Sequence, residues 1–118
     1  MGDVERGTVR PTPELQARLR VDPRVRLHWV RTELLDPDGK PAMLATTWQR
    51  GASERNYSRT ICELRPHQMT SAEAAALGLP RGTAALLVER SRLDGAGFPV
   101  QVADLVLPAD RWRVCLPY

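Results

Sequence analysis

The chain has 118 residues, 42% hydrophobic and 26% charged, with a formal net charge of +3 and a pI near 9.4. That length suits one domain with a single core, and no apolar run approaches the roughly 20 residues that cross a bilayer. The start, Met1-Gly2-Asp3-Val4-Glu5-Arg6, has none of the apolar stretch of a signal peptide, so a cytoplasmic setting is expected, with no membrane partner.

The elements follow in order. Val4–Val9 reads as a short opening strand. Thr12-Pro13 is an N-cap followed by proline at the first helical position, which predicts a helix over Pro13–Leu19. Arg26–Leu35 alternates as a half-buried strand, Asp38-Gly39 supplies hairpin turn chemistry, and Pro41 opens a second strand. The stretch Gln49–Met69 is the least regular: Gly51–Asn56 reads as a mobile loop and Tyr57–Leu64 as another strand. Thr70 and Glu73 form a capping box for a second short helix that Gly78 ends. Ala84–Leu93, the turn Gly95-Ala96-Gly97 and a last strand from Pro99 complete the chain. Both helices are expected to pack on one face of the sheet.

The order helix, strand, turn, strand thus occurs twice. Val30–Pro41, VRTELLDPDGKP, matches Val88–Pro99, VERSRLDGAGFP, with the prolines 99 − 41 = 58 residues apart. Two copies point to one pseudo-twofold domain over 1–118, with halves at about 13–48 and 71–107, and a pocket between the hairpins.

Charge and cysteines narrow the function. Lys40 is the only lysine, and the arginines are interleaved with acids, with a modest cluster at Arg18, Arg20, Arg24 and Arg26. No helix-turn-helix, zinc-finger or aromatic ribonucleoprotein pattern is present, so this chain is not expected to bind nucleic acid directly. Cys62 and Cys115 lack metal spacing and read as buried free thiols of a reducing compartment. No metal or cofactor is expected.

Strand parity sorts the candidate site residues. Leu27, Trp29, Arg31, Glu33 and Leu35 share one face, and Leu86, Val88, Arg90 and Arg92 share a face of the second hairpin. Arg90 is taken as the repeat equivalent of Arg31. Thr46 and Asp104 each lie five residues past their proline (46 − 41 and 104 − 99). An arginine and a carboxylate among core residues need a partner, either a ligand or each other as Arg31–Glu33 or Arg31–Asp104.

Several of these segments resemble the UTRA domain, the effector-binding module of GntR/HutC-type bacterial transcription regulators. Thr70–Gly82, TSAEAAALGLPRG, is similar to that family's helix and Leu-x-Leu-Pro-x-Gly turn. Leu87–Pro99 resembles its Gly-x-Pro hairpin, and Ala109-Asp110-Arg111-Trp112 its closing Gly-Asp-Arg-Tyr. The match spans roughly Leu15–Val114. Those regulators carry a winged helix ahead of the domain, and with so few residues before Leu15 none is expected in this chain. The domain shares its fold with chorismate lyase, which Trp29–Pro41 and Asp104–Ala109 (DLVLPA) also resemble.

The resemblance implies an α+β chorismate-lyase-like fold, a mostly antiparallel sheet with short helices. It implies a pocket for a small anionic metabolite, with Arg31 and Arg90 holding the anion, Asp104 and Gln101 selecting polar groups, and Glu33 and Thr46 alongside. Arginine often stands at the Arg31 and Glu33 positions of domains that sense sugar phosphates, so Glu33 here argues against a phosphate ester. The alternative is a lyase or cyclase in which Arg31 and Asp104 are catalytic, Asp104 as general acid or base and Arg31 stabilising the developing negative charge. Thr46 stands where the lyase has its second active-site arginine, which argues against chorismate as substrate. A homodimer is expected, because Trp48, Trp112, Leu116 and Tyr118 are much apolar surface for one small domain.

Overall fold

Two seven-residue helices are set by their caps. The Thr12 hydroxyl accepts the Leu15 N–H, and the Thr70 hydroxyl accepts the Glu73 N–H while the Glu73 carboxylate accepts the Thr70 N–H. Both helices stop on a left-handed residue, Arg20 at φ 54° and Gly78 at φ 66°. The computed structural model describes residues 3–52 and 55–112. Its elements are β1 (Val4–Val9), α1 (Pro13–Leu19), β2 (Leu27–Leu35), β3 (Pro41–Gln49), β4 (Arg59–Gln68), α2 (Ser71–Leu77), β5 (Ala84–Leu93) and β6 (Pro99–Pro108).

The strands form one antiparallel sheet in the order β1-β2-β3-β6-β5-β4. The architecture is the expected α+β one. Each half is a strand, a helix and a hairpin, and every register repeats at the same offset. Val4 pairs with Thr32 and Cys62 with Arg90, so both members move by 58 (62 − 4 and 90 − 32). Arg31–Thr46 becomes Glu89–Asp104, and the bulge at Leu34/Leu35 returns at Arg92/Leu93. Thr46 and Asp104 are themselves the partners that join β3 to β6. The pseudo-twofold axis therefore passes through that pair.

Both helices cover one face. Leu15 and Leu19 of α1 pack with Leu27 and Val102, while Ala74 and Leu77 of α2 pack with Leu44, Leu87 and Val106. Leu19, Leu27 and Leu77 are fully buried, each stabilising the fold by about 2 kcal/mol. The opposite face carries no helix among the described residues.

Some expectations are corrected. The fourth strand runs Arg59–Gln68, not Tyr57–Leu64, and it includes Pro66 because an edge strand needs no donor on its outer side. Cys62 lies on that edge, so it is a free thiol but an exposed one. Cys115, Leu116 and Tyr118 lie outside the described residues, as does part of the Gly51–Asn56 loop.

Candidate functional site

On the helix face, one row of side chains crosses the sheet between the two apolar clusters. In order it reads Glu5, Arg31, Thr46, Asp104, Glu89 and Glu63. Arg31 does not reach Asp104; its Nη2 donates to Glu5 Oε1 at 3.0 Å. Asp104 instead accepts from Arg18 of α1, whose Nη1 lies 2.8 Å from Oδ1 and whose Nη2 donates to the Ala103 carbonyl at 3.2 Å. The same guanidinium lies 3.7 Å from Glu89, which also holds Arg65 at 2.8 Å. Arg18 closes this half of the row.

Its repeat counterpart on α2 is Ala76 (76 − 18 = 58), and there the space stays open. A cleft of about 180 Å³ lies beside Ala75 and Ala76, lined by Asp3, Glu5, Arg31 and Glu33. Three carboxylates to one guanidinium make it a poor place for an anion.

The arginine assigned to the second half falls on the other face. At the common offset Arg31 corresponds to Glu89, and Arg90 to Thr32. Arg31, Glu33, Thr46 and Asp104 thus share the helix face, whereas Arg90 and Gln101 lie on the helix-free face, and no single surface carries all six. Arg90 is nine residues before its proline and Arg31 ten (99 − 90 and 41 − 31). That one-residue difference reverses the side of the sheet.

The helix-free face holds a cavity of about 600 Å³. β1 contributes Arg6 and Thr8, β2 His28 and Thr32, β3 Thr47 and Gln49, and β6 Gln101; Ala52 lies at its border. Among the described residues no carboxylate lines it. Gln101 is its most buried polar member, at 6% exposure. The Gln101 Oε1 accepts from Arg90 Nη2 at 3.2 Å and from Arg92 Nη1 at 3.1 Å. Its Nε2 donates to Gln49 Oε1 at 3.0 Å, and Gln49 Nε2 donates to the Gly51 carbonyl at 2.7 Å. Tyr57 stacks on Arg92 at 4.5 Å, and Arg50 on Phe98 at 4.9 Å, each contact worth about 0.5–1 kcal/mol.

Of the expected site residues, the cavity therefore includes Gln101 directly and Arg90 through it. Arg6, Thr8, His28, Thr47 and Gln49 were missed. The signal that finds them is parity carried across all six strands: Arg6 and Thr8 alternate with Glu5 and Gly7, and Gln49 pairs with Gln101. Gly7 has a separate reason to be glycine, because a Cβ there would lie 2.8 Å from the Trp29 indole.

Residues 50–113 match the family model of the UTRA domain. The chain is similar to the GntR-family transcriptional regulator from Enterococcus faecalis V583 at 15% identity and a TM-score of 0.84, covering 97% of this chain and 96% of that one. The effector domain of PhnF from Mycobacterium smegmatis is similar at 18% identity and a TM-score of 0.80, with 97% and 83% covered. Against the whole of PhnF, at 17% identity and a TM-score of 0.80, 97% of this chain is covered but it spans 60% of that one. No curated protein matches the sequence.

Proposed function

We propose that this chain, which belongs to the UTRA domain family, binds a small anionic metabolite as an effector domain of GntR type, in the cavity on its helix-free face. One observation carries the choice of site: that cavity has arginine, histidine, hydroxyl and amide side chains around it and no carboxylate among the described residues, whereas the helix-face cleft is acid-rich. The chain's similarity to a GntR-family regulator and to an effector domain supports the regulatory reading.

In this reading Arg6 and Gln101 contact the ligand, and Arg90 acts on it through Gln101. Arg31, Glu33, Thr46 and Asp104 serve the helix face, where Arg31 and Asp104 are engaged by Glu5 and Arg18. An Arg31–Asp104 catalytic pair has no support in that arrangement, so binding is favoured over a lyase or cyclase. A cytoplasmic setting accords with an exposed free thiol at Cys62, and no described helix is long and apolar enough to cross a membrane.

We also take the assembly to be a homodimer. Both edge strands are exposed along their length, and Val4, Val9, Ile61, Leu64 and Trp112 leave large apolar groups at the surface. Light scattering across concentration tests it, and a constant monomer mass overturns it.

The test of the site is direct. Small molecules released from the purified protein by denaturation are identified by mass spectrometry and titrated back. Arg6→Glu should weaken that binding at least roughly tenfold, as reversal of a contacting charge does, while Glu33→Gln leaves it unchanged. The opposite pattern moves the site to the helix face and overturns the reading.

A further inference from the structure

The two amides at the cavity floor form a chain whose direction is forced. Guanidinium groups only donate, so Arg90 and Arg92 require the oxygen of Gln101 to face them. The Gly51 carbonyl only accepts, so Gln49 must present its NH₂ there. Between these fixed ends Gln101 Nε2 donates to Gln49 Oε1. Neither amide can turn over without losing a bond at a fixed end.

What remains free is then countable. Gln101 Oε1 already accepts two hydrogen bonds. Among the described residues, Gln101 Nε2 and Gln49 Nε2 each use one N–H and keep one. Gln49 and Gln101 are direct cross-strand partners, so these two remaining donors are neighbours, and both residues line the cavity. The positive charge of Arg90 and Arg92 stands behind Gln101, reaching the ligand through a polarised amide and not by direct contact.

We propose that the Gln49–Gln101 pair is the specificity element of this site and selects a carboxylate, one oxygen for each remaining N–H. This rests on the cavity being the ligand site. A carboxylate is planar, singly charged and acceptor-only, which is what two neighbouring neutral donors beside half-buried guanidinium charge satisfy. A phosphate monoester brings up to two charges and three oxygens, and Arg6 is the one permanently charged side chain lining the cavity among the described residues. A primary amide in the ligand would set its own NH₂ against one of the two donors. The pair would reject both.

The test uses one ring with three head groups: benzoate, benzamide and phenyl phosphate, titrated into ¹⁵N-labelled full chain and followed by NMR. Benzoate should shift the side-chain NH₂ signals of Gln49 and Gln101 and the backbone amides of Thr8, Thr32 and Thr47. It should bind at least roughly tenfold tighter than either analogue, as loss of a charge-assisted bond implies. Gln101→Glu keeps an acceptor for Arg90 and Arg92 but removes the donor and adds a negative charge. That variant should melt no lower than the unmutated chain and lose benzoate binding by a similar factor. Gln49→Met, which leaves the Gln101–arginine contacts in place, should lose it as well. Equal or tighter binding of benzamide or phenyl phosphate, unchanged benzoate binding in both variants, or no response to benzoate overturns the proposal. Movement of Thr8, Thr32 and Thr47 with phenyl phosphate alone would leave the cavity as the site and refute only the carboxylate. Their silence toward the compound released from the purified protein would instead refute the cavity.

Discussion

Removing Arg18 should cost more than its place on a short surface helix suggests. Arg18→Ala deletes a side chain only 14% exposed, with its bond to Asp104 at 2.8 Å and its bond to the Ala103 carbonyl at 3.2 Å. A charge-assisted bond contributes about 1.5–3 kcal/mol and a neutral acceptor about 1 kcal/mol. Two features reduce the total: Asp104 is 29% exposed and can rehydrate, and Glu89 keeps Arg65. The net loss should be about 2 kcal/mol, or roughly 8 °C in Tm for a chain of this size. The backbone should tolerate alanine, since Ala76 occupies the equivalent place on α2. Asp104→Thr copies the other half of the axis pair, Thr46, and in the Arg18→Ala background it removes the carboxylate left without its guanidinium. A double-mutant cycle by urea unfolding should therefore return a coupling of about 1–2 kcal/mol, largely retained in high salt because the pair is partly buried. Additive costs, or a loss below about 0.5 kcal/mol for Arg18→Ala alone, would refute the reasoning.

Arg20→Gly should raise stability by about 0.5–1 kcal/mol, because Arg20 holds φ 54° where its counterpart Gly78 is free of a Cβ penalty; a lower Tm by calorimetry would contradict this. Gly7→Ala should cost about 1–3 kcal/mol, since its Cβ meets the Trp29 indole at 2.8 Å, and a shift in Trp29 fluorescence should accompany the loss. Thr70→Ala should cost about 1 kcal/mol by urea unfolding, as it removes the hydroxyl half of a complete capping box, with Glu73→Gln costing less.

Local chemistry made the elements legible. Thr12-Pro13 and Thr70 with Glu73 bound the helices, and the paired prolines mark where β3 and β6 begin, because each of these acts over three or four residues. The fourth strand was harder, since an exposed edge with Ile61 and Leu64 turned outward shows little alternation. The site was least legible. Matching Arg90 to Arg31 by residue type and not by distance from the turn moved one side chain by one register and so through the sheet. Arg18 is legible in the sequence only as one of a cluster of arginines, because its partners, Asp104 and Glu89, are 86 and 71 residues away (104 − 18 and 89 − 18).

The repeat also explains why equivalent parts of the helix-free face differ in chemistry. Backbone register is common to both halves, so equivalent side-chain positions occur twice on the helix-free face. Their side chains differ in kind. Arg6, Thr8, His28, Thr47 and Gln49 correspond at the offset of 58 to Leu64, Pro66, Leu86, Leu105 and Leu107, and Gln101 corresponds to Met43. At these six positions one copy hydrogen-bonds and the other is apolar; Val30 and its counterpart Val88 are apolar in both, and Thr32 corresponds to Arg90, which with Arg92 donates to Gln101 at the seam. A symmetric backbone keeps its stability under such divergence because ladder hydrogen bonds ignore side-chain identity. What divergence changes is the solvent preference of each surface: the polar copy stays wet and can exchange water for a ligand, while the apolar copy is left to seek cover. The same duplication that makes the fold easy to read from its turns thus hides the candidate site, which lies where the two copies stopped resembling each other.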